Sequence, residues 1–170
     1  MLTVIMILLG ISGNMITGMA QQSKVMRARS ELAAISQALT QYRMQYGDYI
    51  QTDKGTDLFE ALTGKMGPKR DKLTSVGRVF IGNLSRFTAR DQPSLLSNNS
   101  NANELVDPWG NPYRYLYKMN ADWANPSFLL YSDGPDSERQ EQDIVTNKGY
   151  LRPEATAGKN ADNIYEPAIQ

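Results

Sequence analysis

The sequence has no cysteine and no histidine among its 170 residues. Without cysteine there is no disulfide framework, zinc–thiolate site, iron–sulfur cluster or thiol nucleophile. Without histidine there are no Ser-His-Asp triads, no imidazole metal ligands and no imidazole general base. Net charge is missing too. Lys and Arg number 18, as do Asp and Glu, which argues against a chain that coats nucleic acid. No nucleophile elbow occurs and no carboxylate pair stands out, so the residues do not read as an enzyme.

The charge balance hides segregation. Residues 1–23 carry no charge of either sign. Between Lys65 and Arg90, seven bases (Lys65, Lys69, Arg70, Lys72, Arg78, Arg86, Arg90) face one acid, Asp71. Between Asp133 and Glu166, eight acids face four bases. The chain reads as an apolar head, a basic middle and an acidic tail.

The head, residues 1–23, is long enough to cross a hydrocarbon core as a helix, for which about 20 residues suffice. Its first nine residues are strongly apolar, and Gly10, Ser12, Gly13, Asn14, Thr17 and Gly18 dilute the rest. It lacks the basic start of a complete signal peptide. A membrane-inserted helix is favoured over a signal remnant or a buried core helix. Beyond it, Val25, Leu32, Ile35, Leu39, Tyr42 and Tyr46 recur at steps of 7, 3, 4, 3 and 4. That is one face of a helix. Lys24, Arg27, Glu31, Gln41 and Gln45 are expected on the opposite, solvated face. No proline interrupts residues 1–47, and Gly47 stands where a helix cap belongs. The expectation is one helix of about 45 residues, roughly 70 Å long, whose second half (24–47) is amphipathic.

After Gly47 the helical period stops. Residues 57–62 suit a short helix with Leu58, Phe59 and Leu62 inward, ended by Gly64. Residues 64–77 read as a basic loop, and 78–87 contain a β-rich run. Residues 113–119 alternate like a strand, and 127–131 read as a second. Beyond Ser132 the chain is acidic and rich in turns. The fold class is α+β, with one long helix, a small antiparallel sheet packed on its second half, and long loops.

Three motifs stand out. Val79-Phe80-Ile81-Gly82-Asn83-Leu84 is like one motif of RNA-recognition domains, but the companion aromatic motif is missing, so nucleic acid is not expected as a partner. Asp107, Pro108, Trp109, Gly110, Asn111 and Pro112 form a rigid turn. The prolines fix φ, Gly110 permits an unusual backbone, Asp107 and Asn111 bond nearby amides, and Trp109 anchors the turn on the core. Its role reads as architectural. Third, Tyr131-Ser-Asp-Gly-Pro-Asp136 followed by Asp143-Ile144 gathers carboxylates in a loop of a kind that suits a hard cation, without EF-hand spacing. From spacing alone a solvated acidic loop is the simpler reading.

In this order, these segments resemble the major pseudopilins of the type II secretion system, within the type IV pilin-like class. The segments are the long helix ending at Tyr46-Gly47-Asp48-Tyr49, the short helix with Leu58 and Leu62, the 107–115 block, the 131–136 block and Asp143-Ile144. The resemblance covers residues 1–63 and 105–147. It leaves 64–104 as an insertion within a periplasmic domain spanning 48–170.

The resemblance implies a structural subunit that polymerises with itself in the periplasm to drive protein export. It implies single-pass anchoring in the bacterial inner membrane, and assembly with minor pseudopilins and an inner-membrane platform. It also implies processing and N-methylation by a prepilin peptidase acting on a leader. Leu2, Val4, Ile5, Ile7, Leu8, Leu9 and Ile11 would then be the assembly helix. Calcium would bind the 132–147 loop, with Asp136 and Asp143 at the acidic ligand positions and Asp133 where the family usually has an apolar residue. Ile50 stands where the family usually has proline. The family's cleavage site and following Glu do not precede Met1, so Met1 is expected to be internal to a longer prepilin. The alternatives are a subunit of another type IV filament, or a membrane-anchored periplasmic binding module that does not polymerise.

Overall fold

The computed structural model describes residues 2–82, 87, 103–138, 144–156 and 163–166, with the side chains of 2–18, 154 and 156 outside that description. The first element, α1, runs from Leu2 to Tyr46 without a break. It stops where the amide of Gly47 donates to the Arg43 carbonyl at 2.7 Å. The expected stripe faces inward: Leu32, Ile35, Leu39 and Tyr42 are completely buried, with Ala28 and Ala38 beside them. Burying each large apolar side chain favours the packed state by about 1.5–3 kcal/mol. This contact, more than intrinsic helix propensity, holds the second half of α1 on the domain.

One residue departs from the expected polar face. Glu31 is buried, not solvated, with 1 % of its surface exposed. It is tolerated there because both oxygens are used. Oε1 accepts from Arg27 Nε at 2.6 Å, and Oε2 accepts from the Tyr113 hydroxyl at 2.7 Å. Lys24, Arg27 and Gln45 are exposed and Gln41 half-buried.

The second helix, α2, spans Gly55–Leu62 and starts two residues before the expected position. Leu58, Phe59, Ala61 and Leu62 face the core. The run at 78–82 forms no strand. The amide of Phe80 donates instead to the Leu62 carbonyl at the end of α2. The Phe80 ring packs edge-on against Tyr42 and Tyr46, so the apolar residues are buried without a ladder. The rest of the RNA-like motif, residues 83 and 84, lies outside the described residues.

The sheet has three antiparallel strands in the order β1 (Arg114–Leu116), β2 (Leu129–Ser132), β3 (Ile164–Tyr165). β2 is central, pairing Tyr115 with Leu130 and Tyr131 with Tyr165. Strand β3 was missed from sequence because two residues inside a polar tail carry no periodic signal. The sheet separates two apolar layers. Tyr113, Tyr115, Tyr117 and Leu130 join the α1 side. Leu116, Leu129 and Tyr131 pack with Ile144 and Ala155 on the other. This alternation follows the two-residue period of a strand.

Among the described residues, three hairpins share one design. They are closed by the pairs Met66–Lys72, Val106–Pro112 and Val145–Leu151. In each, the second residue's amide donates to the carbonyl of the sixth, and its own carbonyl accepts from the fifth: Gly67, Asp71 and Arg70; Asp107, Asn111 and Gly110; Thr146, Tyr150 and Gly149. This is a type I turn followed by a left-handed residue. Glycine fills the left-handed position in two of the three, Gly110 (φ 96°) and Gly149 (φ 81°). In the first hairpin the position holds Arg70 (φ 62°).

Candidate functional site

Asp107 is the centre of the 107–112 turn. It is 1 % exposed. Oδ1 accepts from the amides of Trp109 (3.0 Å) and Asn111 (2.9 Å), and Oδ2 accepts from the Ser132 hydroxyl at 2.6 Å. The Ser132 oxygen in turn accepts from the Gly134 amide at 3.1 Å. The turn thereby fixes the start of the acidic loop. Asn111 reinforces this by donating from Nδ2 to the Gly134 carbonyl and to the Ser137 hydroxyl. Trp109 is partly buried against the α1-side core, and its Nε1 donates to Gln21 on α1 at 3.0 Å. Pro108 and Gly110 are the turn's second and fourth residues, and Pro112 closes its ladder.

The acidic loop divides its carboxylates. Asp133 is buried and ion-paired, its Oδ2 3.0 Å from Arg114 Nε. Asp136 is exposed, and its Oδ1 accepts from the Glu138 amide at 2.8 Å. Asp143 lies outside the described residues. Among the described residues no three acidic side chains gather to hold a metal ion. Asp133 meets the Arg114 guanidinium through one oxygen, Oδ2. Asp136 has the chemistry of a ligand and the exposure to serve.

The helix exit is held by a second cluster. Asp48 accepts from the Tyr117 hydroxyl (2.8 Å), Lys118 Nζ (2.6 Å), Gln51 Nε2 (3.1 Å) and the Tyr49 amide (2.9 Å). Partial burial pushes this carboxyl up. The bonds from Lys118, Tyr117, Gln51 and Tyr49 outweigh that and leave it below the ordinary carboxylate range. Ile50, the residue found in place of proline, is fully buried, and its carbonyl accepts from the Tyr115 hydroxyl at 2.8 Å. Burial pushes the phenols of Tyr42, Tyr113 and Tyr115 well up, so they stay protonated donors. Sequence reading missed the Glu31–Tyr113 and Asp48–Lys118 partnerships, since each joins residues distant in the chain.

The outer side of α1 holds a different feature. Met19, Met26 and Met44 are 71 %, 72 % and 82 % exposed, with Ala33 exposed between them. Steps of 7, 7 and 11 place these four on one line, opposite Ala28, Leu32, Ile35 and Leu39. Farther along α1 lie Leu2, Val4, Ile5, Ile7, Leu8, Leu9 and Ile11, whose side chains are outside the description. Among the described residues no helix is long and apolar enough to cross a membrane.

A long N-terminal helix with a small antiparallel sheet packed on its second half is a pilin-like α+β architecture. The chain is similar to the type II secretion system core protein G of Pseudomonas aeruginosa, with 29 % identity over 145 residues, 82 % of each chain. That likeness supports the pseudopilin resemblance drawn from the sequence motifs. No family model and no solved structure matches the chain.

Proposed function

We propose that the chain is a structural subunit of a type II secretion pseudopilus. The observation that carries this reading is the long helix packed through its second half on a small sheet, with Met19, Met26 and Met44 exposed beside Ser30 and Gln37 on the side turned away from the subunit's own core. Such a face is suited to cover by the helices of other copies. The similarity to a secretion-system core protein fits the same role.

In this reading the charge-free head anchors the subunit in the inner membrane as a single pass, with residues 48–170 in the periplasm. A prepilin peptidase processes and methylates the chain where a leader precedes it. Minor pseudopilins and the inner-membrane platform then stack copies into a filament that drives protein export. Calcium belongs to the same reading, with Asp136 and Asp143 as donors.

The test is to raise expression together with the assembly machinery and to image filaments sheared from the cells. Met26→Glu with Met44→Glu is expected to abolish filaments and stop export while the subunit still melts cooperatively. Filaments and export unchanged by this pair would refute the proposal.

A further inference from the structure

The hairpin at 66–72 presents a basic tip. Lys69, Arg70 and Lys72 are exposed, with Lys65 beside them and Asp71 the one acid among them. The ion pairs among the described residues join Arg27 to Glu31, Arg114 to Asp133 and Lys118 to Asp48, and none involves this tip. The backbone beneath is fixed. Gly67 and Asp71 are bonded at 2.8 Å, Leu73 donates to the Lys65 carbonyl at 2.9 Å, and Gln51 donates to the Pro68 carbonyl at 2.9 Å. Tyr42 ties the hairpin to α1 through its hydroxyl on the Met66 carbonyl at 2.8 Å.

Arg70 sits at a left-handed position that the two sister hairpins give to glycine. A non-glycine residue there is strained, and strain of this kind is kept at sites that use the side chain.

The position of the tip selects its partner. It lies at the level of Tyr42 on α1. The acidic loop lies at the level of Gln21, through Trp109 and Asn111. Twenty-one residues at 1.5 Å each separate the two levels by about 30 Å along the axis. The tip is therefore at the end far from the apolar head, and exposed Asp136 and Glu138 are at the near end. A membrane holding the head would be several screening lengths from the tip, since the Debye length is about 8 Å at physiological salt. A second copy displaced along the helix axis brings its acidic end to that level. Lys24 and Arg29 on α1 are also exposed near the acidic end, so the complementarity is local to the loop.

We infer that the hairpin tip, chiefly Lys69 and Arg70, docks on Glu138 of the next copy. This is a head-to-tail contact that repeats without closing. The inference rests on the filament reading above and names one of its interfaces.

The cysteine-free chain permits a clean test in cells carrying the assembly machinery. Lys69→Cys combined with Glu138→Cys is expected to give a ladder of disulfide-linked multimers under oxidation, and either substitution alone none. Lys69→Glu with Arg70→Glu is expected to abolish filaments, and adding Glu138→Lys to restore them. Arg70→Gly is expected to raise the melting temperature by relieving the strain, yet to lower filament yield. Normal filaments from the cysteine pair without a ladder would overturn the contact and leave the filament reading standing. So would unchanged filament yield from Arg70→Gly. Tip-dependent binding of the detergent-purified subunit to anionic vesicles, with no ladder in cells, would overturn it in favour of lipid. No filaments from the unaltered chain would overturn both.

Discussion

Replacing Asp107 tests whether the 107–112 turn is held by one buried carboxylate. Asp107→Ala strands three donors: the Trp109 and Asn111 amides and the Ser132 hydroxyl. The two amides are only partly buried and regain some solvation, while Ser132 is fully buried. At about 0.5–1 kcal/mol for each amide and about 1–2 for the hydroxyl, the loss is about 2–4 kcal/mol. For a chain of this size that lowers the melting temperature by about 5–15 °C. Asp107→Asn keeps an oxygen for both amides and turns an NH2 toward Ser132, which can accept in place of donating. Its expected cost is about 1 kcal/mol, near 3 °C. Thermal melts of the detergent-solubilised chain, followed by circular dichroism, separate the two. Equal melting temperatures for the Ala and Asn variants would show that the turn does not depend on the hydrogen bonds described. So would an Ala variant within 2 °C of the parent.

Three further outcomes are expected. Tyr113→Phe removes the buried hydroxyl that donates to Glu31 Oε2 and should destabilise by about 1–3 kcal/mol, measured by urea unfolding; pairing it with Glu31→Gln in a double-mutant cycle should recover part of that loss, and strict additivity would contradict the contact. Because the folded Asp48 carboxyl lies below its ordinary range, its contribution is present at neutral pH and is lost as pH falls through the carboxylate range. Asp48→Asn should therefore flatten the stability curve below about pH 5, and parallel curves would contradict the bonds assigned to it. Removing calcium with a chelator should lower the melting temperature of the parent and not that of Asp136→Ala; no shift in either removes calcium from the reading.

The helix was legible because a period of 3.6 is local: the steps between Val25 and Tyr46 specify the buried face without knowledge of any partner. The 107–112 turn was legible for the same reason, since Pro108, Gly110 and Asp107 act on their immediate neighbours. Two other things were not. Glu31 looked like a solvated charge because its second partner, Tyr113, is 82 residues away. The likeness of the three hairpins was hidden because Gly67, Asp107 and Thr146 fill the same place with different chemistry. At the left-handed position only two of three show the glycine that marks it. Phe80 and Ile81 read as part of a β-rich run yet are buried without a ladder, because apolar content does not reveal where the backbone amides bond.

The zero net charge acquires a physical meaning from where the pairs fall. Glu31, Asp133 and Asp48 each meet a cation close to α1 or the sheet. In each pair the acid is more buried than its base, and leaving such a carboxylate uncompensated would cost far more than an exposed one. These pairs remove the charges nearest the core from the external field. Outside, the bases of the 66–72 tip and the acids of the 133–138 loop lie about 30 Å apart along α1, with Lys24, Arg29, Lys148 and Arg152 exposed elsewhere. Internal pairing thus leaves a local segregation of charge that a neutral sum conceals.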